Sequence, residues 1–352
     1  MKAGIIGFAR SGKTTVFNAL TGAHAEVGAF GSRDANIAVL KVPDTRVDVL
    51  AGIYRPRKVT YAEFQFVDVA PSEASAQDKA LNETALHLLR NVDALVHVVR
   101  AFANENVVHP HGGVDPVRDC RDMELELQFH DLVVVEKRLD RLEKEQRRDS
   151  HYQMLCRIRD HLESGRALRT MEWSSQEEKD LSGYGFLSRK PLILLGNYGE
   201  ESIGIEDPAS LRRFASEADL KLIELCGSME LEVGRLPENE RAAFREELGL
   251  GEESQTLFLH AAYDMLGLMS FLTVGDVDVH AWTIPKGTRA WDAAGVVHSD
   301  MQRGFIRAEV VSYEDFIAAG SMAKAKEAGL VRLEGKDYPV RDGDIILFRF
   351  NV

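Results

Sequence analysis

The residues best suited to chemistry lie near the start of the chain, in the segment 7–15 with the sequence GFARSGKTT. This segment matches the pattern GxxxxGK[ST] and stands between an apolar, strand-like run and a run with helical character. Gly7 and Gly12 let the backbone curl so that successive N–H groups face an anion, and the following helix points its positive end there. Lys13 would reach the β- and γ-phosphates of a nucleotide, and the Thr14 hydroxyl would bind Mg²⁺. The sequence therefore predicts a phosphate-binding loop, with an ordinary glycine turn before a helix as the alternative.

Further candidate ligands lie at the predicted carboxyl ends of other strands. Asp68 ends the β-rich run 64–67, and in a doubly wound sheet a carboxylate at this place holds Mg²⁺. A solvated aspartate at a strand end is the alternative. Asn197 ends the apolar run 191–196, and the segment 226–230 follows another strand. In a nucleotide-binding sheet those two strand ends form the base pocket, where a side-chain amide supplies a donor and an acceptor.

Size and composition predict a globular protein of two or three domains. The chain has 352 residues, of which 45% are hydrophobic and 28% charged, and its formal net charge is −13. That length exceeds what one small core needs. The negative charge argues against nonspecific nucleic-acid binding over the whole surface, although it is compatible with a local basic face. Three scattered cysteines indicate neither a disulfide framework nor a zinc site, so we expect a cytoplasmic protein, without a signal peptide or a membrane span.

The spacing of apolar residues predicts an α/β domain that is interrupted by a helical arm. From residue 118 they recur every three or four positions in two stretches joined near 145–150, which indicates two long antiparallel helices forming a coiled coil. Two packed helices of a compact domain are the alternative. The stripe comprises Leu125, Phe129, Leu132, Val135, Leu139 and Leu142, then Leu155, Ile158 and Leu162. We predict a doubly wound, mostly parallel α/β domain at 1–117 and 182–272, the insertion at 118–181 and a small α+β module at 273–352.

Several short motifs together resemble the YchF family, the Obg-like ATPases. They occur in nearly every segment: FNALT at 17–21, FVD at 66–68, VHVVR at 96–100, AWTIP at 281–285, RGFIRA at 303–308, EGKDY at 334–338 and FNV at 350–352. The resemblance implies a P-loop NTPase G domain, a coiled-coil insertion and a C-terminal ubiquitin-like TGS domain with a β-grasp fold. It also implies a nucleotide-dependent switch of a kind usually described as preferring ATP.

The resemblance also implies how the base is bound. The NxxE form of the family matches residues 197–200, whereas most GTPases carry NKxD, whose Asp contacts guanine. Loss of that carboxylate removes much of the selection for guanine, so we expect ATP rather than GTP. Tyr198 would stack on or flank the base, with Ser228 and Met229 on its other side. The expected nucleotide ligands are Gly7, Ala9, Arg10, Ser11, Gly12, Lys13, Thr14, Thr15, Asn197, Tyr198, Glu200, Ser228 and Met229, and those of Mg²⁺ are Thr14, Asp68 and Ser32.

The chain departs from the family pattern at three places. Residues 8–11 replace the Leu-Pro-Asn-Val of the family's phosphate loop, and the shortened first switch offers Ser32 or Asp34 where the family has Thr. In the second switch the DxxG motif ends in Pro71, which has no N–H to donate to the γ-phosphate. We therefore expect that nucleotide binding is retained and that hydrolysis is weak or depends on a partner.

His109 is the catalytic residue that the resemblance implies. The family lacks the water-positioning Gln of Ras-like GTPases and has been proposed to use a loop histidine, which His109 matches. His111 follows in the same loop, 104–116. Two histidines at this spacing could bind a metal, but we see no other ligand cluster nearby in the sequence and do not favour a metal site there.

Two functions from different classes stay open. The first is a nucleotide-hydrolysing switch in translation or stress response, a monomer whose arm and TGS domain bind a ribosome or RNA. Basic residues could contact phosphates there, with a solvated mixed-charge surface as the alternative: Lys286, Arg289, Arg303, Arg307, Lys324 and Lys326. The second is a non-catalytic nucleotide-binding scaffold that acts through the same surfaces. A small-molecule kinase ranks third, because no lid segment or acceptor site is evident.

Overall fold

Two six-stranded sheets organise the residues that the structure describes. The structure is a computed structural model, and it describes residues 1–22, 36–68, 81–202 and 210–351. Contacts within the chain divide it into two units, which are residues 1–39 with 65–258, and residues 40–64 with 259–352.

The strands, in chain order, are β1 (Lys2–Ile6), β2 (Asn36–Lys41), β3 (Lys58–Thr60), β4 (Glu63–Asp68), β5 (Ala94–Ala101), β6 (Leu192–Tyr198), β7 (Lys221–Leu225), β8 (Leu268–Val274), β9 (Asp278–Pro285), β10 (Phe305–Val311), β11 (Arg332–Glu334) and β12 (Ile345–Phe350). The helices are α1 (Lys13–Thr21), α2 (Thr45–Tyr54), α3 (Glu83–Arg90), α4 (Pro116–Lys144), α5 (Ser150–Glu163), α6 (Ser175–Leu181), α7 (Leu211–Glu217), α8 (Gly227–Gly234), α9 (Glu238–Glu247), α10 (Ser254–Met265), α11 (Ala290–Val297), α12 (Ser299–Arg303), α13 (Tyr313–Ala319) and α14 (Met322–Glu327). Among the described residues, none of these helices combines the length and the apolar character that a membrane span requires.

The first sheet has the order β2-β4-β1-β5-β6-β7, and β4, β1, β5, β6 and β7 pair in parallel. Seven of the eight residues of β5 are buried, as expected when helices cover both faces of a parallel sheet. Ile6, Leu89, Leu95 and Leu127 join β1, α3, β5 and α4 in one core cluster. This arrangement confirms the predicted α/β class and brings the carboxyl ends of the parallel strands to one edge of the sheet.

The long helix α4 belongs to two cores in succession. Its N-terminal half, with Met123 and Leu127, packs in the core of the first sheet. Its C-terminal half, with Val135 and Leu139, packs against α5. Because α4 has 29 residues and α5 only 14, α5 can accompany only part of α4. The predicted helical insertion is confirmed, and one continuous helix joins it to the sheet.

The predicted apolar stripe is wrong at the N-terminal end of α4. Leu125 and Phe129 are 54% and 60% exposed, whereas Met123 and Leu127 are buried. The physical reason is that the two halves of α4 pack against different partners, so that no single stripe runs the length of the helix.

The second sheet has the order β11-β10-β12-β8-β9-β3. Antiparallel pairs join β8 to β9 and β10 to both β11 and β12, while β12 pairs with β8 and β3 with β9 in parallel. This confirms the predicted α+β character of the C-terminal residues. Within this unit Arg46 contacts the carboxylates of Asp44 and Asp342. The sequence did not indicate that residues 40–64 group with the C-terminal ones, and the proposed domain limits stay predictions.

A buried carboxylate anchors the return from the insertion to the sheet. Asp131 of α4 is 2% exposed, and its two oxygens accept hydrogen bonds from Leu187 N at 2.8 Å, Ser188 N at 2.7 Å and Ser188 Oγ at 2.7 Å. Burial raises the pKa of Asp131 to about 6, against the opposing effect of these three donors. The segment before β6 is therefore held by one side chain of α4.

We expect Asp131→Asn to lower the free energy of unfolding by about 1–3 kcal/mol at neutral pH, because an amide turns N–H groups toward backbone donors. Urea unfolding followed by circular dichroism measures this change, and Asp140→Asn, exposed on the same helix, is the matched control. Equal unfolding midpoints for the two variants would contradict the anchor.

The pKa of Asp131 also predicts a pH dependence of stability. Its folded-state pKa of about 6 exceeds the ordinary 3.8, so the folded state binds more protons between these values. The stability of the native chain should therefore fall as the pH rises through that window, and Asp131→Asn should remove this component.

Candidate nucleotide-binding site

The loop between β1 and α1 has a backbone that requires glycine at two positions. Gly12 has φ +91°, and a Cβ there would lie 2.2 Å from Asn197 Nδ2. A Cβ at Gly7 would lie 2.5 Å from the carbonyl oxygen of Val98. Because α1 begins at Lys13, the loop ends at a helix N-terminus, as an anion site requires. The predicted phosphate-loop geometry is therefore present.

Lys13 turns back over the loop. Its ammonium is buried and donates to the carbonyl oxygens of Gly7 and Phe8, both at 2.8 Å. Burial lowers the pKa of Lys13 to about 8, while the charge of Asp68 acts in the opposite direction. Two neutral carbonyls compensate a buried cation only in part, so an anionic phosphate is the better partner for this side chain.

Oxygen atoms suited to a hard cation lie beside Lys13. Thr14 Oγ1 donates to Asp68 Oδ2 at 3.1 Å, and Asn36 Nδ2 lies 3.4 Å from the same oxygen. Asp68 is 1% exposed, and within the described structure its Oδ1 has no hydrogen-bond partner. A buried carboxylate oxygen and an adjacent hydroxyl are donors that Mg²⁺ accepts, so Thr14 and Asp68 fit the ion. Ser32, the third expected ligand, lies outside the described residues, as does Pro71.

Asn197 fastens the loop to a neighbouring helix. Its Nδ2 donates to the carbonyl oxygen of Ser11 and its Oδ1 accepts from Gly227 N, both at 3.0 Å. The structure thus brings the end of β6, the phosphate loop and the start of α8 together, as the sequence predicted. Ser228 and Met229 lie in the first turn of α8, the former exposed and the latter buried.

Tyr198 lies on the opposite face of β6. Its ring belongs to the core that contains Leu194 and Leu211, and its hydroxyl donates to Glu224 at 3.0 Å. Successive residues of a strand point to opposite faces, so the ring cannot share the side occupied by Asn197. This placement does not support the stacking role that we expected for Tyr198.

The remaining expected ligands lie around these residues without forming contacts that define a role. Ala9 is exposed and Thr15 half-buried, while Ser11 is buried and its hydroxyl has no hydrogen-bond partner in the described part of the chain. Glu200 is exposed in a short 3₁₀ turn. These positions leave their proposed contacts with nucleotide as predictions.

His109 is buried and engaged at both ring nitrogens. Its Nε2 lies 2.9 Å from Asp119 Oδ2, and its Nδ1 accepts from His111 N at 3.1 Å. This pattern places the ring proton on Nε2. Burial is the main cause that lowers the pKa of His109, against the carboxylate of Asp119. In this arrangement neither nitrogen is free to orient a water molecule.

Two arginines hold the loop that carries His109. Arg100, 2% exposed, donates to the carbonyl oxygens of Phe102 at 3.1 Å and Val107 at 2.9 Å. Arg10 of the phosphate loop donates to the carbonyl oxygen of Val108 at 3.1 Å. The phosphate loop and the His109 loop are therefore bonded directly to each other.

Three side chains of types that can bind a metal ion lie together at His111, Asp119 and Asp122. The Nδ1 of His111 lies 3.7 Å from both Asp119 Oδ1 and Asp122 Oδ2. The sequence reasoning saw no ligand cluster near these histidines, and that was wrong because α4 brings its first turns beside the loop. Arg118 already occupies Asp119 Oδ1 with two donors, at 2.7 and 3.0 Å. We therefore retain the expectation that no metal binds there.

Sequence reasoning missed Asn36, Arg100 and Asp119. Asn36 opens β2 and Asp119 lies in the first turn of α4, so their sequence neighbours give no hint of the residues that they meet. The sequence offered one signal, which is an arginine directly after the β-rich run 94–99.

Binding of a triphosphate should be accompanied by proton uptake at Lys13. The free site has a Lys13 pKa of about 8, and a bound anion must raise it. Affinity should stay level below pH 8 and weaken by up to about tenfold for each further pH unit. Calorimetry in two buffers of different ionisation enthalpy measures the proton number. Lys13→Arg, which stays protonated, is the control that should show none. Absence of proton uptake by the native chain at pH 8 would contradict the buried ammonium.

Comparisons with known proteins agree with this geometry. A family model described as 50S ribosome-binding GTPase matches residues 2–138, and the model YchF-GTPase_C, described as a protein of unknown function, matches residues 268–351. The Ribosome-binding ATPase YchF of Bacillus subtilis is 39% identical over 100% of both chains, and that of Escherichia coli O157:H7 is 36% identical over 100% of this chain and 99% of its own. The structure of the Schizosaccharomyces pombe YchF GTPase matches with a TM-score of 0.87 and 28% identity, over 99% of this chain and 97% of its own. In sequence and in fold, the chain belongs to the YchF family.

Proposed function

We propose that this protein is a nucleotide-dependent switch that binds ATP with Mg²⁺ at the phosphate loop and acts on the ribosome. The observation that carries the nucleotide part is the convergence of Lys13, Thr14 and Asp68 on one loop that Asn197 fastens in place. The full-length relatives are named ribosome-binding ATPases, and this supports both the choice of ATP and the ribosome as the partner.

The phosphates would be bound by groups that are already oriented. The Lys13 ammonium needs only to exchange its carbonyl partners for phosphate oxygens, and the N-terminus of α1 adds backbone N–H groups. Thr14 and Asp68 would hold Mg²⁺, which when bound neutralises charge on the β- and γ-phosphates. Little of the binding free energy is then spent on ordering side chains.

The base pocket supports ATP over GTP. Selection of guanine needs a fixed carboxylate that accepts from its N1 and N2 donors, and a site without that acceptor loses the discrimination. The residue at the corresponding place is Glu200, which is exposed in a 3₁₀ turn. An exposed, longer carboxylate is hydrated and gives little preference for a donor-bearing base.

Hydrolysis by the isolated protein should be slow. The residue that the family resemblance implies for positioning water, His109, is bonded to Asp119 and to the backbone of His111. A partner that breaks the bond between His109 and Asp119 would free the Nε2–H of the imidazole to orient a water molecule. We therefore propose that turnover depends on a partner.

The same contacts give a route from the nucleotide to the helical insertion. Arg10 holds Val108, and the ring of Phe8 lies edge-on against His111 with centroids 4.6 Å apart. His109 in turn bonds Asp119 in the first turn of α4. These contacts form a continuous path from the phosphate loop to the base of the insertion, along which a change in the loop would be transmitted.

Calorimetric titration with nonhydrolysable ATP and GTP analogues, each with Mg²⁺, tests the nucleotide proposal. We expect the ATP analogue to bind at least as tightly as the GTP analogue, because the acceptor that selects guanine is lost. Preference for the GTP analogue would contradict the base-pocket proposal. Lys13→Ala should abolish binding of both, whereas Lys41→Ala, exposed on β2, should change neither.

Cosedimentation with ribosomes separates the switch from a scaffold. A switch requires that the native chain binds ribosomes differently with and without the ATP analogue, and that Lys13→Ala loses this difference. A scaffold should keep its partner in Lys13→Ala, so equal sedimentation of the variant and the native chain under all conditions would overturn the switch.

Arg10→Ala tests the route to the insertion. The guanidinium bonds a carbonyl oxygen of the His109 loop, so its loss should uncouple the loops while nucleotide affinity changes by less than about threefold, as for an exposed hydrogen bond. We expect the analogue to protect the first turns of α4 from amide hydrogen exchange in the native chain and less so in Arg10→Ala. Equal protection in both would contradict this route.

A further inference from the structure

A second concave site lies at the root of the helical insertion, and no residue of the phosphate loop lines it. It is an open concavity of about 570 Å³, within the range of volumes of pockets that bind small ligands. Its wall combines the side chains of an aromatic residue and four cationic residues, which are Trp173, Arg90, Arg169, Arg189 and Lys190.

The charge of this pocket is opposite to that of the whole chain, whose net charge is −13. Four cationic side chains line it, against the two carboxylates of Asp93 and Glu178. Asp93 accepts a hydrogen bond from the backbone N–H of Lys2 at 2.8 Å, Glu178 pairs with Arg189, and Arg169 pairs with Glu124 outside the pocket. The excess positive charge is therefore that of Arg90 and Lys190. Concentration of positive charge in a concavity of an acidic protein indicates an anionic ligand.

Two of the cations form no ion pair within the described part of the chain, although the charges of Asp93 and Asp131 act on Lys190 from a distance. Lys190 Nζ donates to the carbonyl oxygens of Arg90 at 3.1 Å and Val92 at 2.5 Å. Arg90 forms no ion pair there, and its side chain is exposed at the end of α3. Burial lowers the pKa of Lys190, as expected for an ammonium that lacks full compensation. Both groups therefore keep binding capacity for an anion.

Arg189 and Trp173 form the wall beside these cations. The guanidinium carbon of Arg189 lies 5.5 Å from the centroid of the indole ring, and Arg189 Nε is buried without a hydrogen-bond partner in the described structure. An arginine beside an aromatic ring is a common element of sites that bind nucleotides. The ring can stack on a base, and the guanidinium can bind a phosphate.

We propose that this pocket binds a phosphate-bearing ligand of nucleotide size, with Arg90, Arg189 and Lys190 on its phosphate. A nucleotide within single-stranded RNA and a free nucleotide carry the same chemistry. The site is separate from the phosphate loop, so the proposal does not depend on the switch function.

The test uses the full chain with Lys13→Ala, which disables the phosphate loop. Fluorescence anisotropy of a labelled single-stranded RNA hexamer measures binding, and unlabelled hexamer, AMP and pyrophosphate serve as competitors. Arg90→Glu in this background should weaken binding by at least about tenfold, because it reverses a contacting charge. The matched control is Arg213→Glu, exposed on α7, which makes the same change in net charge and should weaken binding by less than about threefold.

The outcomes distinguish the sources and can overturn the site. Competition by AMP as effective as that of unlabelled hexamer would support a free nucleotide, and much tighter binding of RNA with a steep dependence on salt would support an RNA strand. Equal losses in Arg90→Glu and Arg213→Glu would mean a general charge effect and would overturn the pocket. Failure of every probe to bind saturably would overturn it as well. Circular dichroism of both variants shows whether the fold is kept.

Discussion

The buried ammonium of Lys13 is the constraint on which the first unit depends. A cation taken from water needs partners, and this one has two carbonyl oxygens of its own loop. Those oxygens point inward only while the loop keeps its positive φ at Gly7 and Gly12, and Gly12 also makes room for Asn197. The conformation of the loop, its two glycines and its hydrogen bond to Asn197 of β6 are therefore all tied to the position of the Lys13 ammonium.

Helix α4 takes part in two cores, that of the first sheet and that of the helical insertion. Its first turn carries Asp119, bonded to His109, its middle carries Asp131, which anchors residues 187 and 188, and its last turns pack against α5. A helix with interior hydrogen bonds satisfied along 29 residues bends little without a specific cause. In the proposed switch, a displacement of its first turn would therefore be passed along the helix to the insertion, without a separate hinge between the loop and the arm.

The sequence alone was sufficient for features whose residues are neighbours in the chain. Residues 7–14 form one continuous segment, a loop followed by the start of a helix. Asp68 and Asn197 each end an apolar run, and a parallel sheet brings such strand ends to one edge. The residue pattern and the expected sheet were therefore enough to predict these positions. Features that depend on distant partners were not predictable. The meeting of Asn36 with Asp68 and the pairing of β3 with β9 depend on pairings far apart in sequence, which a single chain does not record. The face of Tyr198 is different, because it follows from the alternation of side chains along β6 once Asn197 faces the phosphate loop.

Arg10 shows how a departure from the family pattern can be accommodated. It occupies the place where the family has Asn, and its φ is +63°, a conformation that Asn tolerates better than other residues with a Cβ. An arginine at this position carries backbone strain, and the strain persists only where surrounding contacts hold it. The bond from its guanidinium to Val108 is such a contact, and Asn is too short to reach as far. The bond to Val108 therefore offsets the backbone strain at Arg10 and also joins the phosphate loop to the His109 loop.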